Sequence, residues 1–317
     1  MYSLTTASHF LENVYLYGEL PFDMKASFLL SVAMLSALAV SCRNGGASIE
    51  IENRTFEDEA AYVNTRLDVD LPAANGTVAT AIRAKLAEIL YQDICNVSRT
   101  GEDPDFEPFA DDAADTQVLM GYYGEQLTAA LAAASDLEYA ERIEGIMEST
   151  TLTDSQKADI VKNLDKWAFD YSLKKVGETD RCIVFKSEYY VNYGGTHGGI
   201  LGAGPLTFSK RDGQLVSEFF QPGSAAQMQP LLREGLREYF GPRMEGTGLD
   251  DLDIFLSLPE GGAVPLPEWA PQPVADSLHF IYQQYEIAPY AAGMPEFSLP
   301  VGQLKDFLTD DAVRILF

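Results

Sequence analysis

The chain has 317 residues, 46% of them hydrophobic, with a mean hydropathy of −0.08, enough for one large or two modest domains with real cores. A formal charge of −26 repels nucleic acid and anionic membrane and favours cationic partners. Three cysteines, Cys42, Cys95 and Cys182, are too few for a disulfide framework or a cysteine metal cluster.

Met24-Lys25 opens a positive start, and Phe28 to Val40 is an apolar run of signal-peptide length. That run is too short to span a bilayer comfortably. Leu38-Ala-Val-Ser-Cys42 resembles the lipobox of bacterial lipoproteins, in which the cysteine thiol and the freed amine take acyl chains. Ala39 stands where leucine is more usual. The rival reading is an ordinary secretory signal. Residues 1–23 read as an overlong gene start, 24–42 as a lipoprotein signal peptide and 43–47 as a tether. Removing residues 1–42 takes away three acids and one base, leaving 45 acids, 21 bases and a net −24. Cys95 and Cys182 then sit in an oxidising compartment, where they either pair or fill core positions separately.

Residues 48–52 and 61–71 read as strands, the second alternating through Val63, Thr65, Leu67, Val69 and Leu71. Thr77 can cap a helix with the stripe Val78, Ile82, Leu86, Ile89 and Leu90. Residues 98–112 form an acidic loop. Residues 115–135 and 136–147 are expected as two helices, and Thr153-Asp-Ser-Gln156 as a capping box. Trp167, Phe169, Tyr171 and Leu173 alternate, and Gly177 to Asp180 turns that strand into the next. There Ile183, Phe185, Tyr189, Val191 and Tyr193 share one parity, up to the break Gly194-Gly-Thr-His-Gly-Gly199.

Pro205 to Phe208 and Gln214 to Phe220 flank a turn at Arg211-Asp-Gly213. A helix over 224–240 is expected to end at Gly241. Residues 252–258, 280–287 and 297–300 read as strands, and 301–308 as a closing helix. The fold class is α+β, with mixed or antiparallel sheets and packed helices, in an N-terminal subdomain over 48–164 and a C-terminal one over 165–317.

Several residues carry possible chemistry. His197 lies in the glycine break and can be a ligand, a base, an interface donor or a loop-bracing group. After processing its only companion is His279, which excludes a multi-histidine metal site. Glu286 follows Tyr285, and a His197–Glu286 pair is conceivable. Nucleophile elbows, zincin motifs and phosphate loops are absent from the sequence. The acid clusters 111–115 and 250–253 lack the glycine and terminal glutamate of a calcium loop. Tyr189, Tyr190, Tyr193, Tyr285 and Tyr290 form a candidate recognition surface, though strand parity requires about half of them to be core.

Tyr190-Val-Asn-Tyr-Gly-Gly-Thr-His-Gly198, the Leu206-Thr-Phe and Phe219-Phe220 arms, the following helix and Tyr285-Glu-Ile-Ala-Pro-Tyr-Ala-Ala-Gly293 occur in this order. Together they resemble the extracytoplasmic domain shared by the anti-sigma factor RsiV and the non-catalytic part of the deacetylase PdaC, over roughly residues 165–310. The resemblance implies an α+β binding module and, from RsiV, lysozyme as a ligand. Residues 48–164 stand where that family has its N-terminal partner domain. The chain shows neither a sigma-binding segment nor a deacetylase domain.

The expectation is a non-enzymatic lipoprotein of the periplasm or cell envelope, membrane-anchored through Cys42, with no cofactor, metal or nucleic-acid partner. It would bind a protein or glycan ligand at the cell wall, a cationic lysozyme-like muramidase first among them. Its candidate contacts are Tyr193, Gly194, Gly195, Thr196, His197, Gly198, Tyr285, Glu286 and Tyr290. The alternatives are an envelope enzyme acting on peptidoglycan or another glycan with His197 and carboxylates, and a structural scaffold.

Overall fold

The structure, a computed structural model, describes residues 48–73, 76–98, 108–109, 116–194, 200–247, 251–258 and 262–317. It is an α+β fold of two sheets with helices packed against them, as the alternation of periods predicts. The strands of the first sheet are β1 (Ile51–Glu59), β2 (Val63–Pro72), β3 (Trp167–Glu178), β4 (Cys182–Asn192) and β5 (Ile200–Ser209), in that spatial order. Only β2 and β3 run parallel, with Val63 beside Trp167, because helices α1 (Thr77–Ser98), α2 (Thr116–Glu148) and α3 (Asp154–Lys162) intervene between them. The sheet therefore takes strands from both sides of residue 164.

One face of this sheet carries the first core. The alternating residues Val63, Leu67, Val69 and Leu71 of β2 and Trp167, Phe169, Tyr171 and Leu173 of β3 are buried there, against Ile82, Leu86 and Leu90 of α1 and Leu119, Leu127 and Leu131 of α2. Each fully buried side chain of this size contributes about 1.5–3 kcal/mol. The parity expected for β4 holds: Ile183, Phe185 and Val191 are in this core, with Tyr189 and Tyr193 packed on it. The opposite parity faces outward. Arg66 and Asp170 are exposed, and Lys174 binds Asp68 and Asp70.

The second core forms where the other face of β4 supplies Cys182 and Val184. It is completed by α4 (Ser224–Thr247), by the antiparallel sheet β6 (Gln272–Val274), β7 (Ser277–Ile281) and β8 (Glu296–Pro300), and by α5 (Val301–Leu304) and α6 (Asp310–Leu316). Phe280 stacks between Phe220 and Phe297, at centroid distances of 5.7 and 5.2 Å.

Local expectations and structure differ at identifiable places. The two helices expected over 115–147 are one, α2, because Ser135 does not cap a new helix. Its hydroxyl instead donates back to the Ala132 carbonyl (3.1 Å) inside the helix. Helix α4 runs through Gly241 and Pro242. Arg243 fastens that last stretch by lying over the Tyr239 and Phe240 rings and donating to the Ala292 carbonyl. The strand expected at 252–258 is a single 3-10 turn, Leu252–Ile254, because the Asp251 carboxylate accepts the Asp253 N–H. The strand expected over 280–287 ends at Ile281, where a turn held by Glu286 begins. Beyond β5 the hairpin closes only as an isolated bridge between Phe208 and Leu215. The Thr153–Gln156 capping box is present with both of its hydrogen bonds. Cys95 and Cys182 are both free thiols.

Two close approaches shape the β5 edge. A Cβ on Gly202 would lie 2.3 Å from the Tyr189 ring, and one on Gly204 would lie 1.0 Å from the Trp269 ring. Gly204→Ala should therefore displace Trp269 and cost about 1.5 kcal/mol. The chain has two tryptophans, and Trp167 is buried in the first core. A red-shifted emission spectrum would thus report the movement of Trp269, and an unchanged spectrum would contradict it.

Candidate functional site

The candidate residues gather at the end of the sheet where β4 finishes, and strand parity divides them between its faces. On the helix-covered face, Tyr193 packs edge-on against Trp167, with centroids 5.0 Å apart. Gly194 follows with φ +60°. A side chain there would meet the Asp165 carbonyl at 2.8 Å, so glycine is required for both backbone angle and space. Its N–H bonds Asn192 Oδ1 (2.9 Å), and Tyr139 donates to the Asp165 carbonyl. Gly195, Thr196, His197 and Gly198 lie outside the described residues, and so does Cys42.

Beside Gly194 is an open cleft of about 430 Å³ lined by Arg142, Asp159, Ile160, Asn163, Leu164 and Asp165. Arg142 donates to the Gly194 carbonyl at 3.4 Å. The cleft is polar, with one cation, two acids and an amide at its wall, a donor and acceptor set suited to hydroxyl groups.

On the other face Tyr190 turns outward, opposite Asp170 in register. Asn192 donates to its hydroxyl at 3.3 Å. The rings of Tyr285 and Tyr290 lie 5.7 Å apart, and the Tyr190 phenol is near enough to act electrostatically on Tyr290. Burial first, then these neighbouring phenols, pushes the Tyr290 hydroxyl up. Tyr285 is 52% exposed and holds φ +67°. Such an angle costs a tyrosine about 1–2 kcal/mol. Strain of this kind persists where the surroundings over-determine it, and it clusters at functional loops.

Glu286 is what over-determines it. Its Oε1 accepts the Glu268 N–H and its Oε2 the Gln283 N–H, both at 2.7 Å. Burial pushes this carboxyl up, and the two backbone donors partly offset that. Glu286 thus braces the loop that presents Tyr285. The five tyrosines are thereby assigned: Tyr189 and Tyr193 pack on the first core, while Tyr190, Tyr285 and Tyr290 form the outward group.

Asp93 was not singled out from the sequence. It projects from α1 to the Tyr171 hydroxyl, which donates to it at 2.9 Å. Burial pushes it up to about 6, a rise the Tyr171 bond only partly offsets. A raised acid stabilises the fold when protonated, so the buried charge costs stability as pH rises from about 4 through 6. Asp93→Asn keeps an acceptor for Tyr171, and it should raise stability at pH 7 by about 1.5 kcal/mol and flatten the profile over that window. Thermal melts across the window decide this, and an unchanged slope would contradict the assignment.

A Ser–His–Glu row lies on the outer face of the small sheet. His279 Nδ1 is 3.0 Å from Ser298 Oγ and its Nε2 is 3.3 Å from Glu296. His279 and Ser298 are register partners, which makes this a cross-strand polar ladder. Among the described residues no group of three or more histidine, cysteine or acid side chains could hold a metal ion.

Residues 217–302 match a family model described as a protein of unknown function, DUF3298. That span covers most of the second core. No curated protein matches the chain. A member of the DUF3298 family from Bacteroides fragilis has a similar structure, with 14% identity, TM-score 0.56, and coverage of 86% of this chain and 97% of its own. A DUF3298 family protein from Pseudomonas aeruginosa gives 12% identity, TM-score 0.47, and coverage of 84% and 97%. The class defined is an α+β protein whose residues 217–302 are similar to the DUF3298 model, and the likeness to the Bacteroides structure is one of fold.

Proposed function

We propose that this chain is a non-enzymatic lipoprotein of the bacterial cell envelope, a binding module of the RsiV and PdaC type. It is anchored by acylated Cys42 and captures a protein or glycan ligand at the cell wall through Tyr190, Tyr285 and Tyr290. The observation that carries this reading is Tyr285, a half-exposed ring held at an unfavourable backbone angle beside Tyr290. Exposed, preorganised tyrosines supply contact area at low entropic cost and are enriched at recognition surfaces. The DUF3298 match supports the module class.

A net charge of −24 on the processed chain would steer a cationic partner toward it. A basic lysozyme-like muramidase is the first candidate. Calorimetry of residues 44–317, one compact unit, against a basic lysozyme tests it. Heat of binding is expected at low ionic strength, weakening as salt screens the charges. No heat at either condition would remove lysozyme as the ligand.

A further inference from the structure

We propose that the tip of the β3–β4 hairpin and the turn after β5 form the membrane-facing end of the molecule, resting on anionic lipid headgroups. This rests on the reading that Cys42 carries the lipid anchor.

The first observation is where the described chain starts. Ser48 Oγ donates to Glu178 at 2.8 Å, and the Ile49 N–H donates to the same carboxylate at 3.0 Å. The chain is therefore pinned to the β3–β4 hairpin at its first described residues. Five residues lie between Cys42 and Ser48, and the six chain steps reach at most ~20 Å fully extended. A lipid on Cys42 must then hold the surroundings of Ser48 close to the headgroups.

The second observation is what surrounds Ser48. The Lys210 N–H bonds the Arg181 carbonyl at 2.8 Å, so the hairpin tip and the β5 turn adjoin. Lys210 Nζ reaches Glu178 at 2.7 Å and the Thr179 carbonyl at 3.1 Å. Residues 175–182 and 209–214 hold four bases (Lys175, Arg181, Lys210, Arg211) against three acids (Glu178, Asp180, Asp212). Counting Glu50 beside Ser48, the balance is even, in a processed chain of net −24. Glu178 is covered by Lys175 and Lys210, and Asp212 accepts the Gln214 N–H. Arg181 and Arg211 are exposed at this end. It is an end that an anionic bilayer does not repel, and two guanidiniums there suit phosphate oxygens.

The third observation is direction. Strand β4 starts at Cys182 beside this end and finishes ten residues later at Asn192, ~33 Å away. Tyr190 and Gly194 thus stand at the far end, held off the bilayer toward the wall.

The full acylated chain, reconstituted in vesicles of phosphatidylcholine and phosphatidylglycerol, provides the test. Phenylglyoxal labelling of arginines is compared with that in detergent micelles, and flotation reports anchoring. Arg181 and Arg211 should label about fivefold more slowly on vesicles, with Arg66 and Arg142 unchanged. Protein that floats while all four label alike overturns the orientation and leaves the anchor standing. Protein that does not float overturns the anchor, and the orientation with it.

Discussion

Replacing Glu178 with alanine should destabilise the folded protein by about 3 kcal/mol, a fall in melting temperature of about 8 °C for a domain of this size. Its carboxylate receives Lys175, Lys210, the Ile49 N–H and the Ser48 hydroxyl. Removing it leaves two largely covered lysines without their anion and releases the start of the chain. Burial alone would push Glu178 up, but these four donors outweigh burial and bring it down to about 2. An acid with a depressed folded value contributes stability that is fully present above its ordinary range. That stability is lost as pH falls from about 4.5 towards 2. Melts of wild type and Glu178→Gln across that range should converge at the acid end and diverge above it. Parallel curves would show that the carboxylate charge contributes nothing. Asp93 works with the opposite sign in a higher window, so the two residues can be told apart in one titration series.

Tyr285→Gly should move folding and binding in opposite directions. Glycine adopts φ +67° without a Cβ penalty, so the fold should gain about 1 kcal/mol. The same change removes the exposed ring, and a recognition hot spot of this kind is worth about 2 kcal/mol, roughly thirtyfold in Kd. A variant that is both more stable and a poorer binder cannot be explained by damage to the fold. Tyr189→Ala is the contrast. It empties the contact over Gly202 and should cost stability first.

Much of the fold is legible in local pattern. Parity placed Ile183, Phe185, Tyr189, Val191 and Tyr193 on one face, and the structure buries or packs all five on the first core. The capping box at Thr153 needed only four residues to be seen. What local pattern could not carry was long-range. Glu178 meets Ser48 and Ile49 across about 130 positions, and Asp93 meets Tyr171 across 78. Neither acid differs in sequence from a solvated one. Parity required the tyrosines to divide between core and surface. The actual division depended on Trp167 receiving Tyr193 and on Gly202 lying beneath Tyr189, and both are facts of packing. Helix α4 outran its expected end because Arg243 found two rings and a carbonyl brought from elsewhere in the chain.

The ligand face proposed for this binding module is the group of outward tyrosines, Tyr190, Tyr285 and Tyr290. The most direct test is the Kd of residues 44–317 and of Tyr285→Gly for a basic lysozyme, measured by calorimetry at low ionic strength, with melting curves of both. Tyr285→Gly is expected to melt no lower than wild type and to bind about thirtyfold more weakly. Equal Kd values for the two proteins would contradict it.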